Sequence, residues 1–398
     1  MIKKLLFSLL LFVSVAEAAP NIALWQQNMT TFGACHCATI KDTGQPFDTR
    51  QLATYYDGEL VYGNIMSYTG DVTTWQSCYQ GARDVYGTQY AVANGGNVPG
   101  YWNFTRGLRT FSALDGIGPN AVHLLATNAA FARDSTPEDV TDFHYSREVA
   151  YAIGSYLDDE ALGQPPRARL ATLVSAAKGH LDAYNNPANF VKPFFIALTV
   201  RALAQYDEAY PGDGAILAKV QTIANTMWTK NWDAPTQSML YIDKVVVGED
   251  PPNPAPDLNN LIAPVYGWLY AKTGVTDWKD KGDLLFNGGL TVTTGGCPGS
   301  PCAGLCFVSG SYMFDAKQFN QNFVSSFDYL NYTTGTTPTP TPGPSTPTPT
   351  SVPTSTPTLT PTATNTPLVT NTPTPAPTSS GPGGCCGGNT NTNTDSNN

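Results

Sequence analysis

The sequence predicts an all-α fold, an α/α toroid of helical hairpins, followed by a disordered Thr/Pro-rich tail. Three observations carry that expectation. Residues 257–290 read as two amphipathic helices joined by a tight Thr273-Gly274 turn. Segments with a single apolar stripe stand beside a segment that is apolar almost all round, which suggests two concentric layers. Strand patterning is nearly confined to 239–247 (MLYIDKVVV), the arm of a hairpin.

In the 257–290 hairpin, Leu258, Leu261, Ile262, Val265, Tyr266 and Leu269 recur at helical spacing and form one face. Pro264 belongs in the first turn or marks a kink, because deeper in a helix proline removes a hydrogen bond and clashes with the preceding turn. Asp257, Asn259 and Asn260 stand at the entrance, where short polar side chains cap free N–H groups. Trp278, Leu285 and Phe286 share a face of the second helix with Gly282, and Gly288-Gly289 stops it. Upstream, residues 50–67 form one expected helix and 72–90 another, the latter marked by Trp75, Cys78, Tyr79, Ala82 and Tyr86. Further helices are expected over 119–133, 146–162, 166–184 behind Pro165-Pro166, and 214–231. Segment 193–210 (PFFIALTVRALAQYDEAY) must be enclosed by other helices, and 316–331 presents Phe319, Phe323, Phe327 and Leu330 on one side. The total is roughly ten to twelve helices by periodicity. No fixed repeat length is visible, which favours a ring over a solenoid.

The chain begins MIKKLLFSLLLFVSVAEAAP, two lysines, an apolar run and a small-x-small site at Ala16-Glu17-Ala18. Residues 1–18 therefore read as a secretory signal peptide, and the protein as secreted or displayed at the cell surface. Residues 19–332 make the helical domain, 333–380 a Thr/Pro-rich linker or stalk, and 381–398 a Gly/Cys/Asn-rich tail. The stalk has nothing to bury, so it is expected to be extended and rich in O-glycosylation sites. Asn28, Asn103 and Asn331 begin N-x-Thr sequons.

Removing the leader takes Lys3, Lys4 and Glu17 from 21 basic and 31 acidic residues, and the net charge moves from −10 to −11. Such a chain is a poor partner for nucleic acid or anionic membrane, which reward Lys/Arg patches. Aromatic residues reach 11% against 13% charged, a balance that suits neutral ligands. Cys35, Cys37, Cys78, Cys297, Cys302 and Cys306 provide for three disulfides in an oxidising compartment, with the pairing open. Cys385 and Cys386 in the tail would bond to a partner chain or belong to a disordered end. Cys35-His36-Cys37 with His123 or His144 imitates a zinc site only loosely, because the CxxC spacing is missing. No metal and no cofactor is expected: there is no nucleophile elbow, phosphate-binding glycine loop or HExxH.

In a ring of hairpins the loops before the inner helices meet at one mouth. Four stretches fall there. Asn94–Gly107 offers glycines for close backbone approach and the faces of Tyr101, Trp102 and Phe104 for sugar stacking. Phe143–Glu148 gathers His144, Tyr145, Arg147 and Glu148, which supply base, acid and carboxylate recognition. Asp257–Asn260 carries more polar residues than one cap requires, and Lys317–Phe323 places Gln318 and Asn320 among phenylalanines, amides suited to sugar hydroxyls. Asp158-Asp159-Glu160 lies toward the far end of its helix and reads as a solvated run.

Together GNVPGYWNFTRGL, SREVAYAIGSYL, PFFIALTVRAL, DLNNLIAPVYGWLYAKTG and KQFNQNF resemble a family of secreted bacterial α/α-toroid proteins of uncertain biochemical function. More distantly they resemble the six-hairpin glycosidases and the toroid polysaccharide lyases. The likeness spans roughly residues 50–331. It implies a carbohydrate or polysaccharide partner. A glycoside hydrolase would use Glu148 and Asp257 as its carboxylate pair, with Asp115 in reserve and Tyr101, Trp102 and Tyr266 as stacking surface. Asn260, Gln318 and Asn320 would complete the substrate contacts. A lyase would instead use Tyr145, His144 and Arg147. A non-catalytic surface protein for glycan binding, adhesion or assembly is the third expectation.

Overall fold

The structure is a computed structural model, and it describes residues 19–335 except 115, 129–141, 291, 295–304 and 308–315. The leader, the Thr/Pro tract from 336, the tail, Asp115, Cys297 and Cys302 lie outside the described residues. By contacts the chain divides into Met1–Thr341 and Pro342–Asn398, and every helix described belongs to the first unit.

Thirteen α-helices are described: α1 (Ile22–Lys41), α2 (Phe47–Leu52), α3 (Gly58–Thr69), α4 (Val72–Ala82), α5 (Arg106–Thr110), α6 (Gly118–Asn128) and α7 (Ser146–Ala161) come first. There follow α8 (Arg169–Asn185), α9 (Pro193–Ala209), α10 (Gly214–Asn231), α11 (Asn259–Thr273), α12 (Thr276–Gly288) and α13 (Ala316–Thr334). Side-chain caps fix several starts. Asn21, Asp57, Asp71 and Asp213 accept from the first-turn N–H groups of α1, α3, α4 and α10. Gly70 and Gly274 end α3 and α11 in the left-handed region, where a side chain is strained. Two short antiparallel pairs are also described: β1 (Trp232–Asp233) with β2 (Ser238–Met239), and β3 (Val292–Thr294) with β4 (Leu305–Phe307).

Six helices touch in a closed cycle: α3 packs on α5, α5 on α7, α7 on α9, α9 on α11, α11 on α13, and α13 on α3. Two of the neighbouring pairs, α7 with α9 and α11 with α13, run the same way. Arg147 meets Phe195 at the starts of α7 and α9, and Asp158 meets Gln205 toward their ends. Likewise Asn260 meets Asn322 at the starts of α11 and α13, and Gly267 meets Tyr329 further along. The remaining long helices pack on members of this set: α4 on α3, α6 on α5 and α7, α8 on α7 and α9, α10 on α9 and α11, α12 on α11, with α1 on α4 and α13. As its all-round apolar sequence requires, α9 is buried along most of its length.

Several elements depart from the sequence expectation. The helix foreseen over 50–67 is broken at Thr54–Asp57, where Tyr56 and Asp57 take left-handed φ values of 65° and 60°. Residues 83–92 widen into a π-helix rather than continuing α4. Pro264 lies inside α11, beyond its first turn. Of 239–247, only Met239 joins a strand, and Leu240 forms an isolated bridge to Pro254. Helix α1 was not foreseen, and it carries Cys37, which is bridged to Cys78 of α4. That bridge removes Cys37 from any zinc set. Cys35 is disulfide-bonded as well.

Close approach at two glycines holds α11, α12 and α13 together. A Cβ on Gly267 or Gly282 would come within 2.9 Å and 2.5 Å of the Tyr329 ring. The Tyr329 hydroxyl, on the Gly282 side, donates to Asp283 of α12. Gly282→Ala is therefore expected to destabilise the domain by about 1–3 kcal/mol, the cost of overpacking a filled site. Urea denaturation checks this, and an unchanged midpoint would contradict the packing described.

Candidate functional site

The starts of α7, α9 and α13 come together with the loop before α5. At the start of α7, Arg147 donates from Nε and Nη2 to Oε1 of Glu148, at 3.0 and 2.7 Å. The guanidinium lies over two rings, 5.0 Å from the centre of Tyr101 and 5.1 Å from that of Phe195. Burial works against its charge, but Glu148, with Tyr55 and Tyr56 nearby, outweighs burial and holds Arg147 above its ordinary range. Glu148 Oε2 is buried and has no hydrogen-bond partner among the described residues. Beside this pair, Lys192 precedes α9, ion-pairs with Glu249 and lies over Phe194, Phe195 and Tyr241. Lys317 of α13 lies 5.6 Å over Tyr55.

Aromatic rings floor this end. Tyr55 meets Tyr56, Trp102 and Phe104 edge-on at 4.7, 4.5 and 5.4 Å, and Phe104 meets Tyr151 at 5.3 Å. The Tyr86 hydroxyl donates to the Trp102 carbonyl and accepts from the Phe104 N–H, which fixes the loop. The left-handed Tyr56-Asp57 pair is held from two sides. Asn320 Nδ2 donates to the carbonyls of Ala53 and Tyr55, and the Asp57 carboxylate accepts from Leu60 and Gly107 N–H groups. Such backbone is maintained only where surroundings over-determine it. Gly107 is required there, since a Cβ would sit 2.4 Å from Asp57 Oδ1.

The sequence-predicted residues separate into two groups. Tyr101, Trp102, Tyr145, Arg147 and Glu148 gather at this end, and His144 beside them is exposed and pairs with Asp142. Asp257 is half-buried in the turn that leads into α11, and Gln318 is half-buried near the start of α13. Tyr266 is elsewhere. It is fully buried, donates to the Ala224 carbonyl of α10 and packs on Trp228 and Trp278, so no face remains for a sugar. Asn260 and Asn320 are also fully buried. Their amide N–H groups go to Asn322 and Phe286 in one case and to the Ala53–Tyr55 turn in the other, which makes them fasteners between elements. Sequon residues Asn28 and Asn103 are buried and donate to the Leu290 carbonyl and Ser155, closed to a glycosyltransferase.

Below the aromatic floor lies a charged interior that sequence reasoning missed. Asp158 and Asp159, expected on a solvated face, are each only 1% exposed. Asp158 accepts from Thr105 Oγ1 at 2.7 Å and Gln205 Nε2 at 3.1 Å, with Arg109 Nε 2.8 Å away as an ion pair poorly aligned for a hydrogen bond. Asp159 pairs with Arg167 and His123. Arg106 grips Asp328 with two nitrogens at 3.1 and 3.3 Å, and Arg201 adds Nε at 3.3 Å. Most of these partners are too distant in sequence to leave a local signal, Arg167 being eight residues from Asp159; only the rule that buried carboxylates need partners could have raised the question.

Compared with protein-family models, curated proteins and solved structures, the chain finds no match.

Burial pushes the Asp57 carboxyl above its ordinary range, against the lowering effect of its two backbone N–H donors. A raised carboxyl favours the folded state most when protonated, below about pH 4, and that advantage is lost as pH rises through the folded value. The stability of the wild type relative to Asp57→Asn should therefore fall between acidic and neutral pH. Denaturation of both proteins from pH 4 to 8 measures the difference, and a flat or rising difference would contradict the assignment.

Proposed function

We propose that the helical domain is an α/α toroid that takes a neutral glycan where α7, α9 and α13 begin, and hydrolyses a glycosidic bond there. The closed cycle of six helices, with the other long helices packed on them, supports the toroid. The observation that carries the function is Glu148: one carboxylate oxygen held by Arg147, the other buried without a hydrogen-bond partner among the described residues, with the rings of Tyr101 and Phe195 beside the guanidinium. A fixed carboxylate beside aromatic faces can accept a proton or a hydrogen bond from a sugar stacked there. Asp257, in the turn before α11, two places on from α7 in the cycle, is the second carboxylate of this reading, and their separation would set a retaining or inverting outcome. The leader and the Thr/Pro tract fit display of this head outside the cell.

A lyase fits less well, because the Arg147 charge that would neutralise a uronate is already met by Glu148. Glycan binding without cleavage is the second reading, favoured by the aromatic floor of Tyr55, Trp102 and Phe104 that makes the site shallow. A panel of neutral oligosaccharides, scored for binding and for release of reducing ends, separates the two. For a hydrolase, Glu148→Gln should bind as the wild type does and cleave about 10²–10⁴-fold more slowly. Binding with no cleavage by either protein selects the second reading. No binding to any neutral glycan removes both.

A further inference from the structure

The interior beneath the aromatic floor is hollow. Its walls come from Tyr56 and Asp57, from Asn103–Arg106, and from the inward faces of α7 and α9, enclosing about 60 Å³. On a scale where one water takes about 10–15 Å³, that is room for a few waters or one small organic molecule. Small side chains make the space. Ala150 and Gly154 line it from α7 and Ala202 from α9. A Cβ on Gly154 would meet only the flexible end of Gln205, at 3.7 Å. A glycine in mid-helix is unfavourable, and no close neighbour requires this one. Its evident effect is the cavity.

Two polar groups in the wall lack partners. Asn103 is 3% exposed, and its Oδ1 accepts no hydrogen bond from the described residues; the Tyr151 hydroxyl is likewise buried and unpartnered. Burial holds Tyr151 as the neutral phenol, able to donate and accept. Three guanidiniums face three carboxyls around them: Arg106 and Arg201 share Asp328, Arg201 also interacts with Asp57, which accepts from two backbone N–H groups, and Arg109 pairs with Asp158. A cavity with open hydroxyl and amide groups, matched charges and the rings of Tyr56, Phe104 and Tyr151 suits a molecule with hydroxyls and no net charge. Gln205 and Arg201 are partly accessible, and Gln205 lies far along α9 from Arg147 and Phe195, so entry is from the end opposite the aromatic floor.

We propose that this cavity binds one small neutral polyol, a monosaccharide or a shorter sugar alcohol, through Asn103 Oδ1 and the Tyr151 hydroxyl. The site is separate from that of Glu148, and it stands whether or not that end binds glycan.

Glycerol, D-xylose and D-glucose are titrated into the purified protein by calorimetry, with acetate as a charged control. Saturable binding of at least one polyol and none of acetate is expected. Gly154→Leu, which fills the space, should abolish it, and Tyr151→Phe, which keeps the ring, should weaken it about tenfold, while Glu148→Gln leaves it unchanged. Circular dichroism establishes that each variant is folded; if Gly154→Leu is not, Tyr151→Phe carries the comparison. No saturation with any polyol, meaning a cavity of waters only, overturns the proposal. So does binding that persists unchanged in the folded cavity variants, or that is lost in Glu148→Gln.

Discussion

Asp328 of α13 receives two guanidiniums, Arg106 from α5 and Arg201 from α9, inside a cycle of six helices. Asp328 is largely withdrawn from water, at 14% exposed, so loss of a partner leaves a charge that is only partly solvated and costs on the order of 1 kcal/mol or more. Helices α5, α9 and α13 are thus held in one register relative to one another. Asp158 repeats the arrangement on α7, met by Thr105, Gln205 and Arg109. Apolar packing would tolerate small slips along the helix axes; these ionic contacts do not.

The same constraint keeps the centre from closing. Arginines and aspartates need room and orientation, and α7 answers with Ala150 and Gly154 on the face they share with the cavity. Above them the chain turns through Tyr56-Asp57, a strained pair anchored by Asn320 and capped onto Gly107 and Leu60. That turn places Tyr55 and Tyr56 against Trp102 and Phe104, and so separates the hollow interior from the Arg147–Glu148 end. One device serves both regions: it builds the floor of one and the wall of the other.

Much of the fold was legible in the sequence because helical periodicity is local. The stripes of α7 to α13 could be read directly, and the start of α7 offered Arg147 and Glu148 together within one turn. What escaped depends on contacts made at long range. Tyr266 has the chemistry of a stacking residue, but it faces α10, and nothing within its own segment says so. Asn260 and Asn320 looked like spare polar groups because the carbonyls they bind belong to α12 and to the 53–55 turn. Asp158-Asp159 read as solvent-facing because charge is normally exposed, and their partners arrive from as far as 53 residues away. The break at Tyr56-Asp57 carries no glycine at its left-handed positions, so the usual mark of such a turn is absent.

The claim on which the rest depends is that the interior ion pairs couple the helices in the folded protein. A double-mutant cycle between Arg201 and Asp328, using Arg201→Met, Asp328→Leu and the double variant, measures that coupling by urea denaturation. The account predicts an interaction energy above about 1 kcal/mol, with the double variant less damaged than the sum of the two single ones. Single losses that simply add, within about 0.3 kcal/mol, would show that the pair does not hold the helices together and would contradict the account.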